Sequence, residues 1–540
     1  MSILSRERIV ADASFNRWLV PPAALLIHLS IGMIYGFSVF WPTKGNGLLN
    51  LIGKQCDAVQ TSLFERLSIT SCDWLLSDVV WVFSIAIVCL GLSAAVFGHW
   101  LERAGPRKAG VAAAILWGGG LILSSIGVYF HQLWIIWLGA GVIGGIGLGL
   151  GYISPVSTLI KWFPDKRGLA TGMAIMGFGG GAMIGTPVAA YLINTFSTWE
   201  AFLYLGCFYF IAMMIGAFSY RVPPAYYSVE VFLNRKKFIN DVAIKKEDSL
   251  DKKNYDAIFA TKNHVHVSHA HKTYQFWLLW GILCLNVSAG IGVLAVAKPM
   301  FQEIAAANFS ANEIGAIAGG FIALLSLSNI IGRIFWASSS DYLGRKLTYA
   351  IFFSVGTLLY LSAPWAGLNH SIGLFVLIIL IILTMYGGGF ATIPAYLADI
   401  FGTQHVGAIH GRLLTAWSTA GILGPAIMSY DREYQLAKGI PAAEAYNSSF
   451  TMLALLLVLG FILNFFVKPL DAKHFMSANA LKKEKDVAAN KNTQVTSLGV
   501  KSNTNKVMQK IILIVAWIVV GLPILWGISN ALQKGIIIFQ

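Results

Sequence analysis

Charge is scarce in this chain. Of its 540 residues only 12% are Asp, Glu, Lys or Arg, where a soluble domain carries about 25%. With a mean hydropathy of +0.67, that excludes a water-soluble globular protein and implies a polytopic membrane protein, so length is a poor guide to domain count. Acidic residues are scarcest in the middle of the apolar runs. Glu102, Asp341 and Asp399 stand at one set of ends, and Glu200 and Glu313 at the other. The usual intramembrane carboxylate relay is therefore missing. No Ser/His/Asp set or metal-ligating cluster falls at one membrane depth, which argues against an enzyme; no metal or other cofactor is expected. The first apolar run, from about Trp18, is too long for a signal h-region and has no small-residue cleavage site, so it is expected to stay in place.

What is present is apolar and aromatic, with 17 Trp and 33 Phe, as lipid-facing and interfacial surfaces require. A spanning helix needs about 20 apolar residues. Runs fall near 18–41, 76–98, 109–130, 133–160, 168–194, 199–220, 274–298, 313–337, 347–366, 371–398, 407–430 and 447–467, and a further one covers 511–529. They are continuous, without the two-residue alternation of a barrel. The expected fold is all-α: two six-helix halves, 18–220 and 273–467, plus one extra C-terminal transmembrane helix over 511–533.

The net charge of +14 does not point to nucleic acid, because the basic residues cluster in loops between runs. The segment 221–272 holds ten Lys and Arg and 468–510 holds nine. The N-terminal arm 1–17 carries Arg6, Arg8 and Arg17, and short turns with Lys161, Lys166 and Arg167 fall on the same side. The enlarged opposite loop 42–75 has only Lys44, Lys54 and Arg66, and 299–312 has none. The crowded side is expected to be cytoplasmic, with the N-terminus there and the C-terminus across the membrane.

The chain repeats itself. Gly98-His-Trp-Leu-Glu102-Arg103-Ala-Gly105-Pro-Arg107-Lys108 recurs as Ala337-Ser-Ser-Ser-Asp341-Tyr-Leu-Gly344-Arg345-Lys346, and Glu102 to Asp341 and Gly105 to Gly344 share an offset of 239. Pro155/Pro394, Gly168/Gly407, Gly172/Gly411 and Gly185/Gly424 keep that offset. Repeated halves are a transporter signature, with substrate held between them. Glycine at 98 would let helices approach, the acid would sit at a helix end, Gly105 and Gly344 would turn the chain, and Arg103, Arg107, Lys108, Arg345 and Lys346 would face the cytoplasm. The pair reads as a cytoplasmic latch or gate; the plain alternative is a positive-inside turn. The pattern is that of the major facilitator superfamily, from which the second copy departs at Ala337 and Tyr342.

Three stretches narrow this. Ser30-Ile-Gly-Met-Ile-Tyr35-Gly-Phe-Ser-Val-Phe40, Lys161-Trp-Phe-Pro-Asp-Lys-Arg-Gly-Leu-Ala-Thr-Gly172, and Asn329-Ile-Ile-Gly-Arg333 before Ser340-Asp341 resemble the oxalate/formate antiporter family over nearly all of 15–467. The resemblance implies exchange or uptake of small organic anions by alternating access, and it implies that Arg333 binds the substrate carboxylate. Arg333 lies eight residues before Asp341, about 12 Å from the helix end, and its fork suits a carboxylate; the alternative is an Arg that snorkels or pairs with a neighbouring helix. Oxalate-exchanging members carry a second basic residue deep in the eleventh helix. Here that helix offers Thr415, Trp417 and Ser418 instead, with Arg412 near its end. One buried cation balances one carboxylate, so a monocarboxylate such as formate, lactate or pyruvate is favoured over oxalate. Tyr35 and Tyr152 are plausible lining donors or ordinary packing. His28 is the one titratable group deep in the first helix, either a proton-coupling site or a packing histidine. The expected partners are a small organic anion and the lipid bilayer of a bacterial inner membrane, without nucleic acid or nucleotide; a monomer suffices. The rival readings are a facilitator for a sugar or peptide fragment, and a transporter-like sensor.

Other signals are read as packing. Gly139-Ala-Gly141-Val-Ile-Gly144 spells GxGxxG inside an apolar helix with no preceding strand, so glycine-faced packing of the fourth and fifth helices, with Gly177–Gly181, is expected in place of a nucleotide site. His264, His266, His269 and His271 read as a polar linker. Lys298-Pro299 either attracts anions or snorkels. Cys56 and Cys72, both in the enlarged loop, are expected to form a disulfide worth about 3 kcal/mol by loop closure.

Overall fold

The structure, a computed structural model, describes residues 3–12, 15–42, 47–57, 61–163, 167–223, 263–310, 313–368, 371–402, 405–477, 479–480 and 506–539. A few side chains in these ranges fall outside the description, those of Glu102 and Arg103 among them, as do most of 221–272 and 468–510, Lys44 and Lys166. No strand forms among the described residues, only two isolated bridges.

Among the described residues, thirteen long helical segments make up the bundle. In the first half they are α1 (Val20–Ile31, tightening to a 3-10 turn over Gly32–Phe40), α2 (Leu76–Ala104), α3 (Pro106–Tyr129), α4 (133–162), α5 (Arg167–Thr195) and α6 (Thr198–Ser219). The second half has α7 (Tyr274–Ile304), α8 (Ile314–Leu343), α9 (Arg345–Leu368), α10 (Ile372–Phe401), α11 (Val406–Leu413 and Thr415–Ala437) and α12 (Asn447–Phe465), and α13 (Lys506–Phe539) follows. Twelve of the described helices are long and apolar enough to cross a membrane. α11 is not among them: it breaks at Leu414, and its far end carries Asp431, Arg432 and Glu433.

The halves meet along two seams, α5 against α8 and α2 against α11. At the first, the Ser326 hydroxyl enters the α5 ladder, donating to the Gly179 carbonyl at 2.5 Å and accepting from Met183 N–H at 3.1 Å. At the second, the Ser418 hydroxyl donates to the Val88 carbonyl at 2.9 Å, and a Cβ at Gly91 would strike the Leu414 carbonyl. α13 lies on α8 and reaches across to α5 and α1. Gly527 seats it on Met183 and Ile184, and Gly320 of α8 admits Lys534. Most of its length is exposed.

The glycine-rich part of α4 packs differently from expectation. Its partners are α2 and α3, not α5. Ser124 of α3 accepts from Ala140 N–H at 2.8 Å, which opens α4 into a π-turn over Trp137–Ile143, and Gly120 and Gly139 let the two backbones touch. Gly177 and Gly181 of α5 lie against α1, and Gly179 against α8.

The enlarged loop is tied down. Cys56 and Cys72 form a disulfide with Cα atoms 5.0 Å apart. Asp73 accepts four backbone N–H bonds, from Leu51, Ile52, Gly53 and Lys54. Arg66 forks onto Asp78 at 2.7 and 3.1 Å. His131 stacks on Trp74 at 4.0 Å and donates to the Cys72 carbonyl at 3.0 Å. Burial pushes the His131 imidazole below its ordinary value of 6.5, with Cys72 and Asp73 opposing. A depressed histidine contributes stability above its unfolded value that is lost as pH falls through its folded one. Amide protection factors in 47–75, corrected for intrinsic exchange, should therefore fall on acidification below about pH 6.5, and this dependence should disappear in His131→Gln. Replacing both Cys56 and Cys72 by Ser should loosen the loop by about 3 kcal/mol, read by the same measurement.

Candidate functional site

Arg333 is the most deeply placed arginine on the α8 side of the seam, and the candidate site is built around it. It is 3% exposed on α8, and an isolated buried guanidinium is costly unless its donors are met. Its Nε donates to Asn329 Oδ1 at 2.7 Å, one helical turn away, and Nη1 crosses the seam to the Ile175 carbonyl of α5 at 3.1 Å. Nη2 is buried with no acceptor in hydrogen-bond geometry among the described residues. A Cβ at Gly179 would lie 3.2 Å from Nε, and one at Gly387 would strike the Asn329 carbonyl, so these glycines make the room in which the pair sits.

Around the guanidinium stands an aromatic cage. Its Cζ lies 5.6 Å from the Phe390 ring. Phe390 is 4.5 Å from Trp417 and 5.4 Å from Tyr386. Trp417 meets Tyr152 and Phe178, each at 5.5 Å. Tyr35 packs on Phe178 at 5.0 Å, and the Tyr386 hydroxyl donates to the Tyr35 hydroxyl at 2.8 Å. The rings come from α1, α4 and α5 of one half and α10 and α11 of the other. His28 backs the wall, 5.6 Å from the Tyr152 ring, with Nε2 3.1 Å from the Tyr152 carbonyl. Trp417 Nε1 and Asn329 Nδ2 are also buried without acceptors. The cage thus presents donors that lack acceptors beside one fixed positive charge, which is complementary to an anion.

On the face opposite the N-terminal arm, the halves are bonded to each other. Trp41 Nε1 donates to the Ala295 carbonyl at 2.9 Å, and Lys298 Nζ to the Val39 carbonyl at 3.4 Å. Glu433 accepts from Ser77 N–H at 2.7 Å at the start of α2, and Trp81 Nε1 donates to the Tyr430 hydroxyl at 2.8 Å.

Residues 13–425 match the Major Facilitator Superfamily. The chain belongs to that superfamily. It is 24% identical to the oxalate:formate antiporter of Oxalobacter formigenes over 462 residues, 84% of this chain and 92% of the relative. It is also 24% identical to apicoplast pyruvate carrier 1 of Toxoplasma gondii, over 72% of this chain and 78% of that one. A solved structure of the E. coli xylose transporter XylE, partially occluded and inward open, aligns over 84% of this chain and 99% of its own with a TM-score of 0.55 at 14% identity, a likeness of fold.

Not every residue marked from the facilitator's sequence joins the cage. Arg333, Tyr35, Tyr152 and Trp417 come together, with His28 behind them. Thr415 and Ser418 are engaged elsewhere: Thr415 accepts from Trp280 Nε1 at 2.9 Å and donates to the Arg412 carbonyl at 2.8 Å, while Ser418 holds the α2 seam. Asn329, Phe178, Tyr386 and Phe390 were not singled out. Asn329 opens the Asn329–Arg333 motif, which was the available signal for it; the three rings are apolar residues in apolar helices and carry none.

The repeated charged turns also need correction. Gly105 and Gly344 turn the chain at φ +88 and +84. Nothing among the described residues lies within 4 Å of a Cβ at Gly98, so that glycine does not serve close approach. Arg107 does not face water: it is buried and donates to the Ile3, Phe218 and Tyr220 carbonyls at 3.2, 2.8 and 3.2 Å. Lys346, its repeat mate, donates to Phe465 and Val467 at 2.8 and 2.9 Å. Each cation caps the carbonyl end of the last helix of its own half, where the helix dipole favours positive charge. Arg345 binds Asp341, Ser340 and, at 3.6 Å, Asp399. Lys108 is half-buried. The hydrogen bonds given above for the two turns stay within their own halves, whereas bonds between the halves run along the two seams and across the other face. In the histidine stretch, His266 stacks near His405 at 5.2 Å and His271 accepts from Arg412; no metal-holding group of three forms among the described residues.

Arg107→Met and Lys346→Met should each lower stability, Arg107 by about 2 kcal/mol for its charged bonds to buried carbonyls and Lys346 by less. Thermal melts in detergent check the order.

Proposed function

We propose that this protein is a secondary transporter carrying a small organic anion across a bacterial inner membrane by alternating access, and that it takes a monocarboxylate such as formate, lactate or pyruvate in preference to oxalate. The observation that carries the reading is the Arg333 guanidinium, held by Asn329 and Ile175 with Nη2 left buried and unmet inside an aromatic cage. A carboxylate there would accept from Nη2 and relieve a buried unpaired donor. In the eleventh helix, where oxalate-exchanging members carry a second cation, this chain offers Thr415, Trp417 and Ser418 instead. Lys298 is bonded to Val39, four residues beyond Tyr35 along the tightened end of α1, or roughly 8 Å outward at the 3-10 rise. The names of the two relatives, an oxalate:formate antiporter and a pyruvate carrier, fit the same chemical class.

Because the cage draws walls from both halves, an anion bound to Arg333 is bound to the joint between them. The basic loops put the N-terminus in the cytoplasm and, with thirteen passes, the C-terminus outside. Exchange, or symport with the proton on the substrate acid, needs no carboxylate relay; His28, in contact with Tyr152, is the residue through which a proton would be coupled.

Proteoliposomes should take up labelled formate, lactate or pyruvate faster than oxalate. Arg333→Gln should abolish uptake and binding with normal insertion, and Arg333→Lys should retain weak binding. Failure of all four anions, or unchanged transport by Arg333→Gln, overturns the reading.

A further inference from the structure

Lys298 has no role in the cage, yet it is a deeply placed cation. It is 7% exposed and lies six residues from the end of α7, about 9 Å along the helix. Its ammonium has three protons and one described bond, long at 3.4 Å, to the Val39 carbonyl. No described carboxylate pairs with it. The nearest acid on its own helix, Glu303, is forked onto Arg432. A buried ammonium without a counter-charge is poorly compensated, so this position is set up to gain from an anion.

Its surroundings make it part of a gate. α7 breaks at Val296, with φ −121 and ψ 15, just before Lys298-Pro299. Pro299 has no N–H, so the Ala295 carbonyl loses its intrahelical donor. Trp41, just past the end of α1, supplies the missing bond at 2.9 Å. Lys298 answers from α7, meeting the Val39 carbonyl near the end of α1. The broken segment of one half and the last turn of the other are thus tied by two reciprocal bonds, and opening toward this face has to break both. The Trp41 bond joins neutral groups and is indifferent to an anion. The Lys298 bond is a weak use of a full charge, which a carboxylate would accept better than a peptide carbonyl does.

We propose that Lys298 is a second anion-binding residue: from the face opposite the N-terminal arm, an arriving small carboxylate takes the Lys298 ammonium from the Val39 carbonyl, loosening the α1–α7 tie, and is then passed inward to Arg333. This rests on the reading that the chain carries a carboxylate.

The test uses the full chain and compares two measurements. One is uptake from that face in right-side-out vesicles; the other is equilibrium binding of the transported anion to purified protein by calorimetry. Lys298→Met should raise the half-saturating anion concentration for uptake about tenfold, a loss of one charge-assisted contact. Equilibrium binding should stay within about twofold, and Lys298→Arg should restore uptake. Because it removes a buried unpaired charge, Lys298→Met should also melt no lower than the native protein, which guards against a folding defect. An unchanged half-saturation in Lys298→Met overturns the proposal. So does loss of equilibrium binding equal to that of Arg333→Gln, which would make Lys298 part of the central site. If the native protein binds none of formate, lactate, pyruvate or oxalate, the carboxylate reading itself fails and the proposal falls with it; that result is separate because it concerns the unmutated chain.

Discussion

The candidate site depends on one guanidinium that is held but not fully satisfied among the described residues. Two of its nitrogens are held, by Asn329 one turn back and by the Ile175 carbonyl across the seam. The third is not. Holding two and leaving one keeps a charged donor among buried rings, where the low dielectric would strengthen a contact with a carboxylate. The small residues nearby follow from that need. Gly179 and Gly387 leave space that a methyl group would take from Arg333 and Asn329, and Ser326 stitches α5 to α8 three residues N-terminal to Asn329.

The seam bonds explain why the cage is closed. Its walls are contributed by both halves, so any relative rotation of the halves changes the cage. Outside it, Ser326 and Ser418 bond the halves along the α5–α8 and α2–α11 seams, and further bonds tie α1 to α7 and α2 to α11 on the face away from the N-terminal arm. The repeated charged turns do a different job, clamping the last helix of each half to its neighbours. Stiff halves with a few breakable links between them are the mechanical requirement of alternating access.

Much of this was legible from residues alone, for definite reasons. Long uncharged runs locate helices because the bilayer leaves the backbone no other partner. The 239-residue offset exposes the duplication, and a lone Arg eight residues inside a run marks a candidate site. What was not legible is where each polar side chain is aimed. Thr415 and Ser418 lie on the same helix as Trp417, yet a helix turns about 100° per residue, and that sends them to α7 and α2 while Trp417 enters the cage. Arg107 reads as a cytoplasmic charge because its sequence neighbours are charged; the carbonyls it meets belong to the N-terminal arm and the end of α6, each more than a hundred residues away. The glycines of α4 announce close packing but not the partner, which the π-turn around Ser124 decides.

α13 gives the two seams unequal surroundings. It covers the α5–α8 joint with protein, resting on α8 and touching α5 and α1, while no described helix does the same for α2–α11. Lateral pressure and hydrocarbon thickness act on lipid-exposed helices. One joint of this transporter is therefore shielded from the composition of its membrane and the other is not. Its travel on the shielded side is guided by a protein rail, with Gly527 riding beside Met183 and Ile184. The bilayer enters the mechanics mainly through the opposite flank.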